Sequence, residues 1–350
     1  MNNQILKILI VQTAYPGDVI LTTPMVQVLK EKLRQVEISF LAIPRTVELL
    51  ENNPFVDHII CYDKHGRGKW PWSLWWFSKR LKKMDFDLAL LPHRSWRSAL
   101  LTFFARIPLR VGFDRSPAAI LYTQRIPYLT QRHEVERNLA LLSVLGISAA
   151  KPVPPQIFPT EEDKAQVDQF FQQHQLGDVK GAVALAPGSV WPTKRWFSDR
   201  FAALAKQLAE NGHPIVLIGG PGDQEIGKEI ETECKGQVIN LIGYLNLRQS
   251  AETIRRCRAL VSNDSAPAHL GAAVGTPVVA IFGPTVPAFG FYPYGEGHRV
   301  IERTLPCRPC SSHGGKKCPT QTFECMTEIT VDEVYQAVQD VLGKCEGVKR

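Results

Sequence analysis

Short β-branched runs alternate with longer segments of helical period along almost the whole of this sequence, and few folds accommodate that rhythm. Residues 5–11, 37–42 and 87–91 read as strands, and residues 25–35 between the first two read as a helix. Successive strands separated by a helix must run parallel, in a sheet with helices over both faces. Near mid-chain the segment Lys151-Pro-Val-Pro-Pro-Gln-Ile-Phe-Pro159 is dense in proline, the composition of a semi-rigid linker. Beyond it the alternation restarts, with strands expected at 182–185, 214–218, 238–241, 259–262 and 277–282. At 350 residues and 44% hydrophobic content the chain supplies two sizeable cores. The expected architecture is therefore α/β: two doubly wound Rossmann-like domains, 1–155 and 156–350, facing a central cleft at their carboxyl strand ends.

Charge narrows the partner. A formal net charge of +7 and a pI near 9.0 favour an anion, whether nucleic acid, anionic membrane or phosphorylated substrate. Residues 1–11 carry one lysine and no apolar core ahead of a small-residue cleavage site, so export is not expected. No stretch approaches the roughly 18 consecutive apolar residues that span a bilayer. A cytoplasmic location follows as the expectation, with the eight cysteines in a reducing compartment. The densest thiols are Cys307-Arg-Pro-Cys310, Cys318 and Cys325; their spacing does not complete a second C-x-x-C pair, and no metal is expected.

The first strand ends in Gln12-Thr-Ala-Tyr-Pro-Gly-Asp18. Gly17 permits a tight turn, and Asp18 at a strand-to-helix junction is placed either to accept a proton from a nucleophilic hydroxyl or merely to cap the helix. No Gly-x-Gly-x-x-Gly follows this strand, which argues against a dinucleotide-binding dehydrogenase. In the second half, Ala186-Pro-Gly-Ser189 follows a strand and Pro192-Thr-Lys-Arg-Trp196 precedes a helix. A hydroxyl, backbone N–H groups and a cation there suit a diphosphate. Further on, a small-residue helix opening at Ser265 would aim its positive end at an anion, with Asp264 on sugar hydroxyls; the alternatives are a simple cap and a core histidine at His269. Asp85-Phe-Asp87 reads as a strand entry rather than a metal motif, and Gly219-Gly-Pro-Gly222 as a strand-to-helix turn.

Together these pieces resemble the ADP-heptose:lipopolysaccharide heptosyltransferases of glycosyltransferase family 9, which have the two-domain GT-B fold. The resemblance is carried by Gly17-Asp-Val-Ile-Leu-Thr-Thr-Pro24, Arg110-Val-Gly-Phe-Asp114, His133-Glu-Val-Glu-Arg-Asn138, Ala186-Pro-Gly-Ser189 with Lys194-Arg-Trp196, and Asn263-Asp-Ser-Ala-Pro-Ala-His269 through Phe282-Gly-Pro-Thr285, in family order. It implies inverting transfer of heptose from ADP-heptose to the inner core of lipopolysaccharide, with Asp18 as general base and no required cofactor. Ser189, Thr193, Lys194, Asp264, Ser265, Ala266 and His269 are then expected on the donor. Thr13, Arg67, Lys69, Arg94 and Arg97 are expected on the lipid A-core acceptor. The cysteine-containing tail looks most like the heptosyltransferase II branch, from which Ser311-Ser-His-Gly-Gly-Lys-Lys317 departs as an insertion.

Nucleic acid is not an expected partner, whereas the inner face of the cytoplasmic membrane is. Trp70, Trp72, Trp75 and Trp76 precede Lys79, Arg80, Lys82 and Lys83, a pattern that either docks on anionic lipid or buries Trp75, Trp76 and Leu81 under a sheet-covering helix. The alternatives left open are a family relative acting on another surface glycan, a nucleotide-sugar epimerase, and a non-catalytic sugar-nucleotide binding protein.

Overall fold

A computed structural model describes residues 6–64, 66, 71–148, 151–173 and 181–347. The chain divides into two units, Met1–Phe158 and Pro159–Arg350, so the division falls inside the proline-dense segment, just past residue 155.

The first unit runs β1 (Leu6–Val11), α1 (Pro16–Ile20), α2 (Thr23–Lys32), β2 (Val36–Ala42), α3 (Pro44–Val47), β3 (His58–Cys61), α4 (Pro71–Lys82), β4 (Leu88–Leu91), α5 (Trp96–Phe104), β5 (Leu109–Phe113), β6 (Gln124–Ile126) and α6 (Glu134–Ala140). Its six strands lie in the order β3-β2-β1-β4-β5-β6, and every neighbouring pair is parallel. Ile8, Leu9, Ile10 and Val11 are fully buried, as a central strand covered on both faces requires. Asp87 opens β4 by accepting the backbone N–H of Lys7 at 2.8 Å, so the Asp85/Asp87 pair is a strand entry.

The second unit runs α7 (Glu161–Gln173), β7 (Val183–Ala186), α8 (Ser198–Glu210), β8 (Ile215–Leu217), α9 (Gln224–Glu233), β9 (Val238–Asn240), α10 (Leu247–Arg256), β10 (Ala259–Asn263), α11 (Ala266–Ala273), β11 (Val278–Phe282), β12 (Arg299–Glu302), α12 (Glu324–Thr327) and α13 (Val331–Gly347). Its order, β12-β11-β10-β7-β8-β9, is the same winding again, all parallel. The core gathers Val183, Leu185, Phe201, Val261 and Ile281 around Trp196.

In each unit the winding reverses between the first and fourth strands, β1 and β4 in one, β7 and β10 in the other. In open α/β sheets the loops after such strands diverge, and ligands bind outside their carboxyl ends. Asp18, Arg94 and Arg97 follow β1 and β4; Ser189, Lys194, Asp264 and Ser265 follow β7 and β10.

Candidate active site

In the first unit, Pro16 begins α1 and Asp18 stands in its first turn, where Oδ2 accepts the backbone N–H of Tyr15 at 3.1 Å. Asp18 thus closes the start of the helix, as its position allows, and that contact engages one carboxylate oxygen. The protein packed around it withdraws solvation and, with the negative charge of Glu134 nearby, pushes the Asp18 carboxyl from 3.8 up to about 7; Lys64 pulls the other way. A carboxylate poised near neutrality is what general-base work needs.

The groups beside it are built by the same crossovers. Thr13 Oγ1 lies 3.2 Å from His93 Nδ1 and 3.4 Å from Ser98 Oγ, joining the ends of β1 and β4. Lys64 Nζ donates to the Thr13 carbonyl at 2.6 Å. Burial, then the cations Lys64 and Arg94, hold His93 down to about 4, so its imidazole is neutral. Glu134 is buried at the start of α6, accepting from Arg137 Nε at 2.8 Å and from the Tyr128 hydroxyl at 3.3 Å. Asn138 ties that helix to the α1–α2 junction through the Leu21 carbonyl at 3.2 Å. Arg94 is exposed, its guanidinium 4.1 Å from the Tyr128 ring centroid; Arg97 donates to the Lys64 carbonyl at 3.1 Å. The expected acceptor residues Arg67 and Lys69 lie outside the described residues. Glu134, Tyr128 and His93 were not candidates from sequence alone. For Glu134 the one signal was the His133-Glu-Val-Glu-Arg-Asn138 run, which gave no role; His93 and Tyr128 had none.

In the second unit, Asn263 at the end of β10 holds the loop after β7 with both ends of its amide. Its Nδ2 donates to the Pro187 carbonyl at 2.8 Å and its Oδ1 accepts the Trp196 N–H at 2.9 Å. The indole of Trp196 is anchored on the Ile329 carbonyl at 3.1 Å. Strapped this way, the loop sets Lys194 Nζ 2.6 Å from Asp264 Oδ2, and Thr285 donates to the same oxygen at 2.6 Å. Gly188 lies so close to the Asp223 carboxylate that a Cβ would stand 2.2 Å from its carbon, so a larger residue there would have to displace the Asp223 side chain.

Ser265 opens α11 without capping it; its hydroxyl turns to the Gly188 and Asn263 carbonyls at 3.4 and 3.3 Å. Ala266 follows at the first helical position, with Pro267 behind it. One turn on, His269 is buried, its Nδ1 without a hydrogen-bond partner among the described residues, and burial holds it down to about 4. Ser189 is buried and accepts the Trp191 N–H at 3.3 Å. Thr193 is buried, and its hydroxyl donates to the Gly315 carbonyl at 2.9 Å and accepts the Gly315 N–H at 2.8 Å, which clamps the Ser311–Lys317 segment against this loop. Among the described residues no group of three or more His, Cys, Asp or Glu side chains is arranged to hold a metal ion. Gly219–Gly222 is a turn, closed by Gly220 N–H on Asp223 Oδ2 at 3.1 Å.

Residues 74–320 match the model of glycosyltransferase family 9 (heptosyltransferase). The chain belongs to this glycosyltransferase family. The lipooligosaccharide heptosyltransferase 2 of Haemophilus ducreyi is 32% identical over 353 residues, covering 97% of this chain and all of that one. Among solved structures, a family 9 glycosyltransferase from Veillonella parvula superposes with a TM-score of 0.89 at 26% identity, over 98% of this chain and 99% of that chain. The ADP-heptose heptosyltransferase II of E. coli does so with a TM-score of 0.80 at 27% identity, over 97% and 100%. The fold of this glycosyltransferase is therefore the two-unit GT-B arrangement of parallel sheets that the motifs implied.

Proposed function

We propose that this glycosyltransferase moves heptose from ADP-heptose to the inner core of lipopolysaccharide, adding the second core heptose with inversion. The observation that carries the assignment of roles is Asp18 held near neutrality at the sheet's reversal point in the first unit. Asp18 takes the proton from the acceptor hydroxyl as that oxygen bonds to the anomeric carbon. The bond from that carbon to the diphosphate breaks, and the electron pair leaves with ADP. Lys194 supplies charge-assisted N–H bonds to the diphosphate, beside the amino end of α11 with Ser265 and Ala266; Ser189 and His269 line the same place. Asp264, fixed by Lys194 and Thr285, directs its carboxylate at sugar hydroxyls. Thr13, Arg94 and Arg97 serve the acceptor, whose acidic groups suit the two guanidiniums, and Arg67 and Lys69 are assigned there with them.

In this reading cations and helix dipole neutralise the leaving group, so no metal or other cofactor takes part. The first unit binds acceptor and the second binds the nucleotide sugar. The enzyme works in the cytoplasm at the inner face of the membrane, and nucleic acid is not a partner. No helix among the described residues is long and apolar enough to cross a membrane. A donor panel with a lipid A-core acceptor tests the reading. ADP release coupled to an acceptor one heptose heavier is expected with ADP-heptose; an epimerised donor, or donor binding without turnover, would replace it with the other readings.

A further inference from the structure

The helix α4 presents opposite faces to opposite environments. Leu74, Ser78 and Leu81, spaced four and three apart, are buried against the sheet, whereas Trp75 and Trp76 are 44% and 62% exposed. The tryptophans are therefore not the buried face that one reading of the sequence gave them. Across a groove of about 560 Å³ from Trp75 lies the end of α5, where Phe103 and Phe104 are 43% and 44% exposed, their rings 5.6 Å apart. Four large aromatic side chains facing water in one neighbourhood is costly for a surface that stays in water.

The same groove is lined by Lys79, Lys82, Arg106 and Arg110. Lys79 Nζ sits 3.6 Å from the Trp75 ring centroid, and the Arg110 guanidinium 5.6 Å from that of Phe103. No carboxylate pairs with Lys79, Lys82 or Arg106 among the described residues, so the charge is uncompensated. Arg106, just past the end of α5, holds its backbone in the left-handed region at φ 57°.

We infer that this face of α4 and α5 is a docking surface for anionic phospholipid headgroups. Aromatic rings suit the bilayer interface, long cationic side chains reach phosphates while their stems lie along the rings, and unpaired positive charge complements an acidic leaflet. The inference rests on the lipid-anchored acceptor proposed above, yet binding to lipid is measured without it. It also extends the surface beyond α4, to Phe103, Phe104 and Arg106, which the sequence did not single out, and to Arg110, which it named only as part of a motif.

The test is flotation of the full chain with vesicles of phosphatidylethanolamine and phosphatidylglycerol, against pure phosphatidylcholine, for the wild type and for K79E/K82E/R106E. These side chains are exposed and outside the proposed site, so turnover on a deacylated core acceptor reports that the variant is intact. Docking predicts flotation with the anionic vesicles only, weakened on the order of 100-fold in the variant and by salt, with turnover on the deacylated acceptor retained. A second variant, F103S/F104S, lowers binding with the charges in place. Wild type that fails to float, or floats equally with neutral vesicles, overturns the inference, as does an unaffected triple variant. A raised KM for deacylated acceptor in the triple variant would overturn it too, by giving the groove to the acceptor core. Absence of transfer by the wild type, with flotation intact, would instead strike the proposed function alone.

Discussion

At the residue scale, Asp18 makes the sharpest demands. Its folded-state carboxyl titrates near 7 rather than 3.8, so the native state holds a proton that the unfolded chain releases between those values. Stability therefore falls as pH rises from about 4 to 7 and stays lower above that. Asp18→Asn removes the penalty. The variant is expected to be stabilised at pH 8 by on the order of 2 kcal/mol, with the gain fading toward pH 4, while turnover drops about 10²–10⁴-fold. Thermal melts across that range, beside transfer assays, check both signs. Glu134→Gln deletes the negative neighbour that helps raise Asp18, and should move the acid limb of the pH–rate profile to lower pH. It also weakens a buried pair with Arg137, at a cost of roughly 1–3 kcal/mol in stability. An unmoved limb would remove Glu134 from the tuning of the base. In the second unit, Lys194→Ala should cost roughly 1.5–3 kcal/mol in ADP binding by calorimetry, and adding Asp264→Asn should restore part of it, because the carboxylate left beside the phosphates is gone. Unchanged ADP affinity in Lys194→Ala would take the lysine out of the site.

At the element scale, α11 owes its position to what its residues lack. A Cβ on Gly271 would meet Val278 Cγ2 at 2.6 Å and Leu260 Cδ2 at 2.9 Å, both on buried strands, so the helix lies directly on β10 and β11. Gly271→Ala should destabilise the second unit by about 1–3 kcal/mol in denaturant unfolding and weaken ADP binding by displacing the start of the helix; an unchanged midpoint would contradict that packing. This small-residue helix was legible in sequence, as were the strong central strands β1, β2, β7, β10 and β11, because buried parallel strands are continuous apolar runs. The edge strands β3, β6 and β12 were not, since His58–Cys61, Gln124–Ile126 and Arg299–Glu302 are short and carry polar residues. Motif residues such as Asp18 and Lys194 could be named because each lies in a turn next to its strand. The groups that tune them could not, since only the order of the strands joins Thr13 to His93, and only the folded tail brings Gly315 to Thr193, 122 residues away.

At the scale of the whole molecule, the same six-strand winding is used twice, and each unit gathers its chemistry at its own reversal point. The proposed division of labour sets a carboxylate pushed toward neutrality in the first unit against a lysine beside an amino helix end in the second. That division was visible in sequence as two alternating halves and a proline-dense join, whereas the tuning of Asp18 required the fold. The central claim is transfer of one heptose from ADP-heptose, with Asp18 as the base. Its most direct test is product analysis by mass spectrometry and NMR after incubating wild type and Asp18→Asn with ADP-heptose and a deacylated lipid A-core acceptor that already carries one heptose. The wild type should give an acceptor one heptose heavier, the new linkage inverted relative to the donor, with ADP released in equal amount, and the variant almost none. A retained anomeric configuration, an unmodified acceptor with wild type, or full transfer by Asp18→Asn would contradict it.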